Sequence, residues 1–190
     1  MVQSVRIACR IKACEMDHHL TLYLAREKIA AAVKRLAAEL DQEYRHRSPV
    51  VVGVMKGAFV FLAGLVRQMN TPLPRIELAQ VSSYSTGKVT SGRARMIKRI
   101  PREAIRGQDV ILVEDIIDTG ITTSTVLKHL SRHRPASLEV CTLLDKPARR
   151  LAEVSPRFVG FTIPDCFVVG YGLDLDQRYR ELPDIYTVGE

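Results

Sequence analysis

The sequence predicts an α/β protein with a mostly parallel central sheet flanked by helices. Short runs of apolar, largely β-branched residues, 50–55, 110–113 and 138–144, read as strands buried on both faces. Segments with helical spacing lie between them, so strand and helix alternate along the chain. Two of the runs are followed by a Gly-containing turn that opens a helix, at Lys56-Gly57 and Thr119-Gly120. Open parallel sheets take their ligands at these carboxyl ends of strands.

Size and composition narrow the class. A chain of 190 residues with 46% apolar content can bury the core of one domain. No apolar run approaches the ~20 residues of a membrane helix, and residues 1–19 lack a continuous apolar stretch, so neither a membrane span nor a secretory signal is expected. Cys9, Cys14, Cys141 and Cys166 read as reduced thiols of a cytoplasmic protein. The formal charge is +7, and residues 88–106 carry seven lysines and arginines against one acid, Glu103. A solvated loop is the first reading of that segment. A lid attracted to a polyphosphate substrate and a nucleic-acid surface are the sharper ones. No aromatic residue interrupts the segment, which argues against a platform for stacking single-stranded bases.

Along the chain, residues 21–44 follow helical spacing at Ile29, Val33, Leu36 and Leu40, with alanines that favour helix. His18-His19 reads as exposed. The strand 50–55 leads through Lys56-Gly57 into an apolar helix, 58–69. A Gly turn there exposes backbone N–H groups in phosphate-binding geometry, although it is not a P-loop. Residues 76–82 read as a strand, and the polar, turn-rich 83–92 as a mobile loop. After 110–113 come Glu114, Asp115 and Asp118. Gly120 then permits a turn with positive φ, and Thr122, Thr123, Ser124 and Thr125 lead into a helix that reaches Leu130. The N–H groups at that helix start, with the threonine hydroxyls, suit a phosphate, and the carboxylates can accept hydrogen bonds from ribose hydroxyls. His129 and His133 read as an exposed helix face. The strand 138–144 ends at Asp145-Lys146-Pro147. Short strands are expected at 158–163, 167–169 and 185–188.

The order of strand, two acids, a third acid and Thr-Gly-x-Thr-Thr across 110–125 resembles the signature that binds 5-phosphoribosyl-1-pyrophosphate (PRPP) in the type I phosphoribosyltransferases. The form EDIIDTG resembles the 6-oxopurine branch, the hypoxanthine-guanine phosphoribosyltransferases. Residues 167–183 resemble that family's F-V-V-G-Y-x-L-D…Y-R-x-L-P, Lys56-Gly57 its pyrophosphate loop and Ser83-Tyr84 its catalytic lid. The likeness runs from about Thr21 to Val188. Bacterial members commonly carry acids where this chain has Lys98, Arg99 and Arg102.

The resemblance implies a type I phosphoribosyltransferase fold in a single domain, 1–190, with a small hood drawn from parts of 1–25 and 158–190 and a flexible lid at about 83–95. It implies that Glu114, Asp115, Asp118, Thr119, Gly120, Ile121 and Thr122 bind the ribose and 5′-phosphate, and that Asp118 handles a proton at purine N7. Met55, Lys56, Gly57 and Arg180 would face pyrophosphate, with a backbone bond in that loop that can be cis. Ser83 and Tyr84 would close over the site. Lys146 would select the base, Phe167 would stack on it and the Val168 backbone would bind its edge, with Asp174 nearby. Mg²⁺ would be held by Glu114, Asp115 and Asp174. The implied reaction joins PRPP to hypoxanthine or guanine and releases pyrophosphate, as purine salvage in the cytoplasm by a homo-oligomer, dimer or tetramer. No membrane or nucleic-acid partner is expected. The alternatives are a PRPP-binding RNA regulatory protein of the same fold and a transferase that prefers xanthine.

Overall fold

The structure, a computed structural model, describes residues 18–86 and 89–189, with the backbone alone over 83–93. In chain order the elements are β1 (Leu20–Leu24), α1 (Arg26–Glu43), β2 (Val50–Met55), α2 (Phe59–Val66), β3 (Ile76–Thr86), β4 (Val89–Lys98), α3 (Arg102–Ile105), β5 (Asp109–Ile117), α4 (Ile121–Ser131), β6 (Ser137–Asp145), β7 (Phe158–Thr162), β8 (Val168–Val169) and β9 (Ile185–Val188). Six strands form the main sheet in the order β4-β3-β2-β5-β6-β7. Every pairing in it is parallel except β3 with β4. The chain moves outward from β2 to β3 on one side and from β5 through β6 to β7 on the other. The direction of winding therefore reverses between β2 and β5, and a crevice opens there above the strand ends.

Both faces of the sheet are covered, which is why its central strands are apolar throughout. One core packs Ile29, Val33, Leu36 and Leu40 of α1 and Phe61, Leu62 and Leu65 of α2 against Val51, Ile111 and Leu143. The other packs Ala104, Ile105, Val126 and Leu130 against Val52, Val110 and Leu112. Strand residues of alternating parity serve the two cores, as the pleat requires.

The structure departs from the sequence expectation in four places. Residues 20–24 (LTLYL) form a strand rather than the first turn of a helix, because they pair antiparallel with β9. The helix starts at Arg26, where Ala25 offers no side-chain cap. Asp184 supplies one from the far end of the chain, accepting the Arg26 N–H at 2.7 Å. Residues 83–86 and 89–95, expected as loop, lie on the paired arms of the β3–β4 hairpin. The strand expected to stop at Val113 runs to Ile117, since Glu114, Ile116 and Ile117 remain in register with Thr142, Leu144 and Asp145. α2 ends at Val66, three residues earlier than the apolar pattern suggested.

A second sheet, β1-β9-β8, joins the start and end of the described chain beside the main sheet. Among the described residues no helix is long and apolar enough to cross a membrane.

Candidate functional site

The crevice between β2 and β5 is a cleft of about 390 Å³. Three pieces of chain wall it. The first is the turn after β2, Met55, Lys56 and Gly57. The second is the end of β5 and the start of α4, with Glu114, Asp115, Asp118, Thr119, Gly120 and Thr122. The third is the C-terminal segment, with Asp174 and Arg180. Eleven residues nominated from sequence at scattered positions thus line one space. Ile121 adjoins it as the first residue of α4.

The α4 wall follows from local chemistry. Gly120 has φ of +77°, a left-handed conformation that suits glycine, and a Cβ there would lie 2.9 Å from Arg150 Cδ. The chain reverses at this point, and the first bond of the helix runs from Ser124 N–H to the Gly120 carbonyl at 2.8 Å. The N–H groups ahead of it project from the positive end of the helix, an arrangement made for a phosphate.

Because Glu114 and Asp115 are consecutive strand residues, their side chains diverge. Glu114 is buried and accepts a short hydrogen bond from the Thr123 hydroxyl. Burial pushes its carboxyl up to about 8; the Thr123 bond and Arg150 oppose the rise, and Asp115 adds to it. Asp115 faces the turn after β2. Burial pushes it up to about 6, against its own and the Ile116 backbone N–H groups and Arg180, while Asp174 adds to the rise.

The opposite wall is held together by bonds to main chain. The Met55–Lys56 peptide is cis. Arg180 forms an ion pair with Asp174 at 2.7 Å and donates to the Gly172 carbonyl at 2.6 Å. Asp174 accepts the Gln177 N–H at 2.9 Å, and Lys56 Nζ donates to Gln177 Oε1 at 3.1 Å. Gly172, with φ of +99°, crosses so near the Gly57 carbonyl that a Cβ would overlap it.

Lys146, Phe167 and Val168 do not line this cleft, and of the three Lys146 reaches it through Asp118. Lys146 is 3% exposed, donates to the Cys166 carbonyl at 3.0 Å, and brings its Nζ to 3.8 Å from Asp118. Phe167 is 52% exposed and offers an open aromatic face. Val168 is buried in β8, paired with Thr187. The side chains of Ser83 and Tyr84 lie outside the described residues. The basic residues Lys98, Arg99 and Arg102 are exposed, and none of them lines the cleft.

Sequence reasoning missed Arg149, Arg150, Asp165 and Gln177, and it offered to a phosphate the Thr123 hydroxyl, which is buried and donates to Glu114 instead. Arg150 bonds Asp145 and the carbonyls of Ile117, Asp118 and Val154, and so ties down the strand end that carries Asp118. The two arginines after Lys146-Pro147-Ala148 were the available signal, since basic residues near a carboxylate cluster seldom lack a partner.

Mg²⁺ takes hard oxygen ligands and in nucleotide chemistry fills most positions with water and substrate phosphate. Asp115 and Asp174, the latter close enough for its charge to raise the Asp115 carboxyl, provide two such carboxylates. Among the described residues no three His, Cys, Asp or Glu side chains gather into a metal cage, and Glu114 is turned toward Thr123. The donor set fits an ion that arrives on a polyphosphate.

A family model described as the phosphoribosyl transferase domain matches residues 19–176. The hypoxanthine phosphoribosyltransferase of Haemophilus influenzae is 45% identical over 168 residues, covering 87% of this chain and 93% of its own. The hypoxanthine-guanine phosphoribosyltransferase of Bacillus subtilis is 43% identical over 171 residues, covering 90% and 94%. A crystal structure of a Bacillus anthracis hypoxanthine-guanine phosphoribosyltransferase superposes with a TM-score of 0.82 at 40% identity, covering 88% of this chain and 98% of that one. The chain belongs to the phosphoribosyltransferase family, and the relatives named above are hypoxanthine and hypoxanthine-guanine enzymes.

Proposed function

We propose that this chain transfers the 5-phosphoribosyl group of PRPP to N9 of hypoxanthine or guanine, giving the nucleotide and pyrophosphate. The observation that carries the reading is the meeting of a helix-start phosphate cradle, a carboxylate wall and a cationic turn in one cleft, with Asp118 between that cleft and Lys146.

The chain's own work is positioning and electrostatics. The N–H groups at the start of α4 and the hydroxyls of Thr119 and Thr122 hold the 5′-phosphate. Glu114 and Asp115 orient the ribose hydroxyls. Lys56, the Gly57 backbone and Arg180 hold the pyrophosphate, which departs from C1′ as N9 approaches through a loose, oxocarbenium-like transition state. Asp118 takes the proton from purine N7 as the ring's charge changes. Lys146 donates to O6, which favours 6-oxopurines over adenine, and Phe167 stacks on the ring while the Val168 backbone meets the base edge. Asp115 and Asp174 would hold Mg²⁺, which when bound supplies positive charge to the leaving pyrophosphate. The β3–β4 hairpin with Ser83 and Tyr84 closes over the site and excludes water from the reactive ribosyl centre. The reading carries with it purine salvage, a cytoplasmic location and a homo-oligomer, dimer or tetramer.

The test is direct. Purified protein with PRPP, Mg²⁺ and hypoxanthine should release pyrophosphate and inosine monophosphate in equal amounts, and a chelator should stop both. Pyrophosphate release that does not depend on an added base would mean hydrolysis and refute the transfer.

A further inference from the structure

The four charged groups around the base subsite form a closed ring of alternating sign. Lys146 Nζ lies 3.1 Å from Asp165 Oδ1 and 3.8 Å from Asp118 Oδ2. Arg149 completes it, with Nε 3.5 Å from Asp118 Oδ1 and Nη1 3.7 Å from Asp165 Oδ1. Of the four, Lys146 is the buried member; the side chains of Asp118, Arg149 and Asp165 are 35%, 49% and 55% exposed.

The two oxygens of Asp118 are not equivalent. Oδ1 is buried and has no hydrogen-bond partner among the described residues. A buried carboxylate oxygen without a partner is costly unless a charge compensates it. The cation facing Oδ1 is Arg149, and the cation facing Oδ2 is Lys146. Lys146 in turn has its ammonium committed to the Cys166 carbonyl and to Asp165.

We propose that Arg149 and Asp165 are positioning residues that keep the long Asp118–Lys146 ion pair, 3.8 Å, from closing into a direct hydrogen bond. Arg149 holds Asp118 by its inner oxygen and leaves Oδ2 for the substrate proton. Asp165 holds Lys146 away from Asp118 until a purine O6 takes the ammonium, and Arg149 then remains as the counter-charge of Asp165. This rests on the phosphoribosyl-transfer reading above and adds the two residues that keep its acid–base group and its base-selecting group separate. Without the Arg149 guanidinium, Asp118 turns to the next cation, Lys146, 3.8 Å away. That contact would withdraw both groups from the purine at once, while the 5′-phosphate and pyrophosphate walls stay as they are.

The test is a split between the two substrates. The wild-type protein is assayed first; failure to form nucleotide there would overturn the transfer reading itself. With transfer established, kcat and the two KM values are measured for Arg149→Met, Arg149→Lys and Asp165→Asn. Arg149→Met should lower kcat/KM for hypoxanthine by about 10–100-fold with KM for PRPP changed less than about twofold. Arg149→Lys should recover part of the loss, because one ammonium can serve one of the two carboxylates. Asp165→Asn should act in the same direction as Arg149→Met and mainly through KM for hypoxanthine. PRPP binding by calorimetry identifies any variant that has failed to fold, in which case the remaining variants decide. Values for hypoxanthine within twofold of wild type, or equal losses for both substrates, would overturn the proposal.

Discussion

A methyl group on Gly57 would overlap Asp115 Oδ2 and lie 2.6 Å from its Cγ. The turn after β2 and the acidic end of β5 approach so closely that only a hydrogen fits between them. The glycine here is needed for that contact, beyond its use in the turn. Gly57→Ala is therefore expected to push the Asp115 carboxylate out of place. Such overpacking costs about 1–3 kcal/mol, and each 1 kcal/mol lowers Tm by about 2–4 °C in a chain of this size. KM for PRPP should rise at least ~10-fold. A melting scan with a PRPP titration checks both, and an alanine variant with wild-type values would show that the contact does not matter.

Asp118 faces both the cleft and Lys146. If it takes the N7 proton, Asp118→Asn should reduce turnover by roughly 10²–10⁴ while PRPP affinity stays near normal. Single-turnover kinetics isolates the chemical step. Near wild-type chemistry would remove Asp118 from that role.

Lys146 is buried with its ammonium aimed past Asp118 toward the chain before Phe167. Lys146→Ala should weaken hypoxanthine and guanine far more than PRPP, because the site then lacks the donor that O6 requires. Binding of each substrate is measured separately. Equal weakening of both would make the lysine a structural residue only.

The fold was legible where the hydrophobic period was long. Ile29, Val33, Leu36 and Leu40 announced α1 by spacing, and the β-branched runs at 50–55 and 110–113 announced the central strands. What could not be read were effects of distant pairing. Thr21 and Tyr23 become strand only because β9 returns beside them, and the α1 cap comes from Asp184, 158 positions away. Glu114 and Asp115 look like a strand's end, yet pairing with β6 at Glu114, Ile116 and Ile117 carries the strand past them. In the site, Thr119, Gly120 and Thr122 carried a local signal that a helix start explains. Asp165 carried none, because its partners are set by how β6 and the segment before β8 come together.

His129 joins α4 to the segment after β4, with Nε2 3.2 Å from the Ile100 nitrogen and 3.1 Å from its carbonyl oxygen. Burial holds its pKa below the ordinary 6.5; the Ile100 main-chain bond opposes this, and His133, Arg99 and Arg132 add to the lowering. A base with a depressed folded pKa binds its proton less readily folded than unfolded. Its contribution to stability is present above pH ~6.5 and is lost as pH falls through the folded value. Between pH 7.5 and 5.5 the wild-type Tm should therefore fall further than that of His129→Gln. Parallel Tm curves for the two proteins would contradict the shift.

The central claim is transfer of a phosphoribosyl group to a 6-oxopurine, and one assay tests it most directly. Purified protein, PRPP and Mg²⁺ are incubated with adenine, guanine, hypoxanthine, xanthine and uracil in separate reactions, and nucleotide formation is followed by absorbance and chromatography. The account predicts nucleotide from hypoxanthine or guanine and none above background from adenine or uracil, since Lys146 offers a donor where those two rings do not present the O6 of a 6-oxopurine. Nucleotide from adenine or uracil alone, or no nucleotide with any of the five bases, would contradict it.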